Sequence, residues 1–346
     1  YTEAKLSEIS NELIEELNHK AIKYKKNFDS STIEPKVLPV KFPLLLINGS
    51  EGIAVGLSTK CPSFNLREIS NAVIYIVKKK FIKNKKINKN KILKLIKGPD
   101  FPTGGSIKYN KEIKNLILTG KGNFKIKGKI EKNVNKIFIK EIPYQINKKK
   151  IIEEITKLIK EQKLEDITNI TDESDKKELK ITIHTTKKAN IKNIKKTIYK
   201  NTNLKISFPA NILAIKEKKP VQVSVIDVIE EFINFRKKTI KKKTKNELNK
   251  IKKRLIKVII KIISSNNIKN IIKIIKEKKI KKEIINEIKN LEFKLPDFIN
   301  KKKSNPLKYI TKKNKIKKRY IEKIINSNIS NLIEKEKKKI YKDFCN

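Results

Sequence analysis

The stretch NFKIKGKIE, Asn123–Glu131, is where the chain turns from helical spacing to strict alternation. Phe124, Ile126, Gly128 and Ile130 fall on one face of a strand, and Lys125, Lys127 and Lys129 fall on the other. A strand with this pattern is apolar on one side and a lysine ladder on the other. A second strand, Lys136 to Ile142, ends before Pro143. The pattern then predicts a helix at 148–163, a strand near 164–170, a strand at Leu179–His184, a helix at 191–200 and a strand at 204–216. This β-α-β-β-α-β succession makes the middle of the chain an α+β domain.

Upstream, Leu6, Ile9, Leu13 and Leu17 share a helical stripe, which predicts an amphipathic helix over Thr2–Asn18. Pro35, Pro39 and Pro43 break the chain into extended connectors, and Asn65 is placed to cap a helix from Leu66 to Val77. The Lys/Asn/Ile-rich segment Lys78–Lys97 reads as an exposed helix or a low-complexity insertion. Downstream of Pro220, Leu248, Ile251, Leu255, Ile259 and Ile262 recur at three- and four-residue steps within Val225–Ile263. One helix of that length spans roughly 55–60 Å and needs a partner, as in a coiled coil. Shorter helices follow, with breaks at Pro296 and Pro306.

Lys and Arg total 86 against 36 acids, a formal charge of +50, yet only Arg67, Arg236, Arg254 and Arg319 are arginines. Abundant lysine, isoleucine and asparagine is what strong A+T pressure on a gene produces, so part of this charge carries no functional message. The whole imbalance is still most easily offset by a polyanion, which makes nucleic acid the leading class of partner. Lysine-dominated charge predicts phosphate contacts with little reading of base edges. Two cysteines and two histidines are too few for a disulfide framework or a zinc cluster, and no run is long enough for a membrane helix.

Three of the nine glycines, Gly49, Gly52 and Gly56, fall within LINGSEGIAVGLS, Leu46–Ser58. This is neither a Walker loop nor GxGxxG. Two readings stay open: a turn packed between apolar strands, or a loop whose backbone approaches DNA closely with Ile53 at its tip. Isoleucine is among the side chains that wedge between base steps and bend duplexes.

Taken in order, YTEAKL, NFD with EPKVLPVKFP, LLLINGSEGIAVGLSTKCP, GPDFPTGG, TGKG, EIPYQINK, TDESD and NTNLKISF resemble the A subunits of bacterial type IIA DNA topoisomerases, those of gyrase above all. The likeness is specific from Tyr1 to about residue 245. It implies an α+β fold: a remnant of a winged-helix cleavage domain at 1–40, a tower-like mixed α/β domain with a DNA-bending loop at 41–222, a long coiled-coil helix at 223–264 and a truncated helical exit gate at 265–346.

The resemblance also implies roles. Tyr1, standing before Thr2 and Glu3, would be the nucleophile that joins the DNA 5′ phosphate, and Ile53 the wedge. Gly49, Gly52, Lys125, Lys127 and Lys129 would be DNA-binding candidates, with no metal ligand in this chain. Magnesium and ATP would be held by a partner B subunit in an A2B2 assembly that contains a homodimer of A subunits. The expected setting is a bacterial cytoplasm, at the nucleoid, with an organelle as the alternative. Three departures stand out: Thr171 where the family has arginine before DESD, Leu57 where methionine is usual, and Pro62-Ser63-Phe64 in place of Pro-Pro-His. The chain opens at the tyrosine, so by itself it is expected not to cleave DNA. Two other classes compete with this reading: a non-enzymatic architectural relic of such a subunit, and an RNA-binding protein suggested by charge only.

Overall fold

The alternation that begins at Asn123 stops at Gly128, and its two halves enter different sheets. In the computed structural model the described residues are 3–19, 21–133, 135–175, 178–187, 189–216, 219–266, 268–277, 280–290, 311–312 and 315–316. The chain divides into two compact units, Tyr1–Ile240 and Lys241–Asn346. The first unit opens with α1 (Glu8–Ile14), a 3-10 turn (Glu15–His19), β1 (Tyr24–Lys26), β2 (Ile33–Pro35) and α2 (Leu44–Asn48). It continues through β3 (Ser50–Ala54), β4 (Leu57–Cys61), α3 (Leu66–Ile76), α4 (Lys89–Leu95), β5 (Ser106–Ile107), α5 (Lys111–Thr119), β6 (Lys121–Lys127), β7 (Lys129–Asn133) and β8 (Lys136–Glu141). Then come α6 (Lys148–Lys160), β9 (Ile167–Asp172), β10 (Ile181–Thr185), α7 (Ile191–Asn201), β11 (Lys205–Asn211), β12 (Leu213–Lys216), β13 (Lys219–Gln222) and the start of α8 (Val225–Asn266). The second unit holds α9 (Ile268–Glu277), α10 (Lys281–Asn290) and the short pair β14 (Thr311–Lys312) and β15 (Lys315–Ile316).

A five-stranded antiparallel sheet runs in the order β3-β4-β11-β6-β5, and a four-stranded one in the order β7-β8-β10-β9. Each has its own core. Phe124, Ile126 and Phe208 of the larger sheet pack with Ile69 and Ile76 of α3, Ile113 and Leu116 of α5, and Val225 and Ile229 of α8. Ile137, Ile139, Ile181 and Ile183 of the smaller sheet pack with Ile151 and Ile155 of α6 and Ile194 and Ile198 of α7. The expected strand through 123–130 is therefore two strands, and its Lys129 leaves the ladder. Space decides the break: a Cβ at residue 128 would stand 2.5 Å from the Glu141 carbonyl oxygen and 2.5 Å from Leu204 Cδ1. The backbone there is tied on both sides, with Gly128 N donating to Leu204 O at 2.8 Å and Tyr199 Oη donating to Gly128 O at 2.7 Å. The β-α-β-β-α-β order is present, but its final strand, β11, belongs to the larger sheet.

Asparagine, which composition makes abundant, starts the helices. Asn65, Asn88, Asn110, Asn147 and Asn190 each accept a hydrogen bond from a first-turn backbone N–H of α3, α4, α5, α6 and α7 respectively. Each such cap contributes roughly 1 kcal/mol. The long helix α8 opens on a reciprocal box, with Asp227 N donating to Ser224 Oγ and Ser224 N donating to Asp227 Oδ2, both at 3.0 Å.

Two further expectations need correcting. The first helix starts at Glu8 rather than beside Tyr1, because Ser7 is extended (φ −66°, ψ 156°), and Leu6 and Ile9 lie exposed. The segment 78–97 is helical and largely exposed, as one of its two readings had it, but it is not wholly so: a π-helical turn (Val77–Ile82) extends α3, and α4 buries Ile92 with Ile96 following it into the main core. Its lysines and asparagines hid an apolar i, i+4 pair. The long helix is present as 42 residues, ~63 Å at 1.5 Å per residue. Leu248, Ile251 and Leu255 are exposed along it, whereas the surroundings of Ile259 and Ile262 lie outside the described residues, as does most of the expected exit gate. No helix among the described residues is long and apolar enough to cross a membrane.

TDESD closes the turn between β9 and β10. Asp172 meets Lys148 Nζ at 2.8 Å and accepts from Ser174 N and Oγ, while Glu173 meets Lys180 at 2.7 Å. Lys148 first, and then Ser174, pull the Asp172 carboxyl down from 3.8 to about 2. A depressed carboxylate stabilises the fold above its unfolded value, and this contribution is lost as pH falls through the folded value. Asp172→Asn is therefore expected to lower the melting temperature at pH 6, with the difference from the parent shrinking between pH 4 and pH 2 in a calorimetric series.

Candidate nucleic-acid interface

The glycine-rich stretch forms the β3–β4 hairpin, paired from Ser50↔Cys61 to Ala54↔Leu57 with Val55 and Gly56 as its two-residue connection. Gly56 has φ +72°, the left-handed third position that a type II turn requires. Gly49, at φ +71°, sits where a Cβ would be 2.7 Å from the Cys61 carbonyl oxygen. Those two glycines answer to the chain's own geometry. Gly52 does not: its φ is ordinary and a Cβ there would meet only Thr59 Cγ2 at 3.7 Å. Its small size leaves the backbone open to an approach from outside.

The apolar side chains of the hairpin have nothing over them. Ile53 is 89 % exposed and Val55 102 % exposed. The tip is Val55-Gly56, so Ile53 stands one cross-strand pair behind the position expected for it. Ile53 borders a groove of about 790 Å³ that continues past Lys60, Asn211, Lys121 and Asn123.

Lys121 and Asn123 begin the outward row of β6, which alternation continues through Lys125 and Lys127. The paired strand adds Lys205 opposite Lys127 and Ser207 opposite Lys125. Lys121, Lys125, Lys127 and Lys205 make no ion pair among the described residues; the first three are exposed and Lys205 is half-buried. Lys129 is different. It lies in the smaller sheet, 3.2 Å from Glu131 and 4.0 Å from Glu141, and so does not extend the row. Sequence reasoning missed Lys121 and Lys205, although the same two-residue alternation reaches back to Lys121.

Tyr1 lies outside the described residues. The 3-10 turn after α1 buries Glu16, which meets the Arg236 guanidinium of α8 through Nη1–Oε2 at 2.6 Å and Nη2–Oε1 at 3.3 Å. Arg236 Nη1 also donates to the Pro39 carbonyl at 3.1 Å. Lys41 Nζ holds Glu12 and Glu15, each at 2.5 Å. A paired, buried Arg–carboxylate fixes one geometry, and removal of either partner strands a charge. Thr171 sits in β9 with Oγ1 3.4 Å from His184 Nε2 and 3.3 Å from Glu173. Cys61 is buried and its thiol is pushed up to about 12 by burial, which leaves it unreactive. Among the described residues no His, Cys, Asp or Glu side chains gather into a group that could hold a metal ion.

These features belong to a known class. The chain is a member of the family formed by the A subunits of DNA gyrase and topoisomerase IV, whose model matches residues 1–345. It is 37% identical over 260 residues to the topoisomerase 4 A subunit of Staphylococcus epidermidis, covering 74% of this chain and 32% of that protein. It is 38% identical over 259 residues to the DNA gyrase A subunit of Leptospira biflexa, covering 73% of this chain and 30% of that protein. With the DNA gyrase A subunit of Buchnera aphidicola subsp. Baizongia pistaciae it shares 39% over 274 residues, 78% of this chain and 32% of that protein. The chain thus spans about a third of the curated relatives it matches, and both kinds of protein match at similar identity.

Replacing Lys125 and Lys127 by Gln is expected to flatten the dependence of log affinity for duplex DNA on log salt, by up to ~0.9 for each phosphate no longer neutralised. Lys129→Gln is expected to leave that slope where it was, since its ammonium already faces two carboxylates. Fluorescence anisotropy titrations at four or more salt concentrations separate the two; equal slopes for all variants would remove the row from the interface.

Proposed function

We propose that this chain is the part of a gyrase-like, ATP-dependent type II topoisomerase that carries the cleaving tyrosine and bends the DNA it cuts. The observation that supports this reading is the uncovered apolar hairpin, Ile53 and Val55, bordering a groove that leads to an unpaired lysine row in a chain of this family. The Tyr1 phenolate oxygen bonds to a DNA phosphorus, the bond from phosphorus to the 3′ oxygen breaks, and that oxygen takes up a proton. The protein is left joined to the 5′ phosphate. One phosphodiester replaces another, so the same exchange in reverse reseals the strand. An ordinary phenol has a pKa near 10 and needs assistance at neutral pH. In this reading magnesium and ATP are held by the partner B subunit, and no group of this chain is assigned to either.

Ile53 enters a base step and kinks the duplex, with Gly49 shaping the turn into the hairpin and Gly52 letting the backbone lie close. Unstacking costs a few kcal/mol per step, which contacts along a bent duplex offset. Lys121, Lys125, Lys127 and Lys205 supply such contacts without reading sequence. The exposed stripe Leu248, Ile251 and Leu255 of α8 is the seam of a coiled-coil arm, and residues 265–346 contribute to an exit gate. The assembly is an A2B2 complex on double-stranded DNA in a bacterial cytoplasm, and it changes supercoiling by passing one duplex through the other.

Two experiments on the full-length subunit with its partner test this. Denaturant trapping with magnesium and duplex DNA is expected to yield a covalent adduct that Tyr1→Phe abolishes; an active partner with no adduct from the parent would move the chain to an architectural DNA binder. Ile53→Ala is expected to reduce bending, read by energy transfer between end-labelled fluorophores, while affinity at matched salt changes by less than about threefold. Full bending in that variant would end the wedge reading.

A further inference from the structure

The hairpin is joined to the rest of its sheet almost entirely through β4. The register pairs β4 with β11 at Lys60↔Asn211. Thr59 Oγ1 donates to Asn211 O at 3.3 Å and accepts from Leu213 N at 3.2 Å, and Asn211 Nδ2 donates to Ser58 O at 2.8 Å. β3, which carries Ile53, is exposed along its whole length. Glu51 is where β3 reaches beyond its own hairpin: its carboxylate accepts from Gln145 Nε2, and within the hairpin it meets its cross-strand partner Lys60 at Nζ, 3.0 Å away.

Both partners are themselves fixed. Gln145 holds a left-handed backbone, φ +67°, a conformation that a non-glycine residue keeps only when its surroundings impose it. Its neighbour Tyr144 stacks on Phe101 at 5.2 Å, and Ile146 N donates to Pro143 O at 3.2 Å. Lys60 Nζ lies 4.9 Å from the centre of the Phe208 ring, which stacks on Phe124 in the core. Gln145 and then Lys60 hold the Glu51 carboxyl below its ordinary range, so it stays ionised and attached near neutrality.

We propose that Glu51 is a positioning residue for Ile53: with Gln145 and Lys60 it forms a strut that sets the pitch of the hairpin and passes the load of base-step insertion into the core. Ile53 and Glu51 lie on the same side of β3, two residues and about 6.6 Å apart. A hairpin anchored through β4 alone leaves the strand that bears the wedge free to pitch when pushed into a stacked duplex; a contact on β3 two residues behind the wedge holds the second strand as well. This inference rests on the wedge reading of Ile53.

The test uses the full-length subunit with its partner and an end-labelled duplex at saturating protein, so that energy transfer reports the bent fraction of bound DNA rather than affinity. Glu51→Ala and Gln145→Ala are each expected to reduce the bent-to-straight ratio at least ~5-fold, the scale of one hydrogen bond to a charged group, with the melting temperature unchanged. Because they remove the same strut, the double variant is expected to be no worse than either single one. The swap Glu51→Gln with Gln145→Glu exchanges donor and acceptor and is expected to restore bending, while Gln145→Glu by itself sets two carboxylates together and does not. Full bending by Glu51→Ala and Gln145→Ala where Ile53→Ala is defective would overturn the strut and leave the wedge standing, as would additive losses in the double variant. Full bending by Ile53→Ala would overturn both. If Glu51→Ala fails to fold, Gln145→Ala decides: a folded Gln145→Ala that bends DNA fully overturns the strut.

Discussion

The whole first unit turns on the absence of a side chain at residue 128. There the strand leaving the larger sheet passes between the Glu141 carbonyl and Leu204 on its way into the smaller one, and both approaches are too close for a Cβ. Because the two sheets share this crossing, the apolar face of β6 and that of β8 can serve two separate cores. Glu141, at the end of β8, also receives the Gly105 N–H at 2.6 Å, so the turn that leads into β5 is tied to the same crossing. The start of the EIPYQ loop that holds Gln145 thus leaves from the same crossing.

Much of this was legible in the sequence because it depends on local spacing. The cap at Asn65, the strand and helix order through 123–211, and the length of α8 follow from periodicity and from the few residues able to start or stop an element. The hairpin was legible as glycine spacing, although spacing could not say which glycines the chain needs for itself. What was not legible required knowledge of distant partners. That Gly128 is a seam depends on Glu141 and Leu204, and the seam in turn places Lys129 in the smaller sheet, away from the row on β6. Ile92 and Ile96 were hidden by composition, since a segment rich in lysine and asparagine looks solvated whatever its isoleucines do.

The charge distribution shows why a net +50 says less than the placement of a few ammonium groups. Lys41, Lys80, Lys140, Lys148 and Lys180 are paired with carboxylates and serve the chain's own geometry. The lysines of the outward row on β6 and β11 have no such partners among the described residues, and the row begins at Lys121, in the groove that the exposed hairpin borders. Exposed ion pairs contribute little to stability individually. Their larger effect here is to restrict unneutralised positive charge to particular faces.

The five asparagine caps bear on how this protein ages. At Asn88, Asn110, Asn147 and Asn190 the capping hydrogen bond is accepted by the side-chain oxygen. Hydrolysis of such an amide to an aspartate keeps that oxygen and adds a negative charge where the helix dipole favours one. Asn65 is placed otherwise, because its Nδ2 also donates to Asp100 Oδ2 at 2.9 Å. Loss of that nitrogen would set two carboxylates against each other where Asp100 is bonded to Ser63, just after β4. Among these helix starts, slow chemical damage would therefore be felt first at α3.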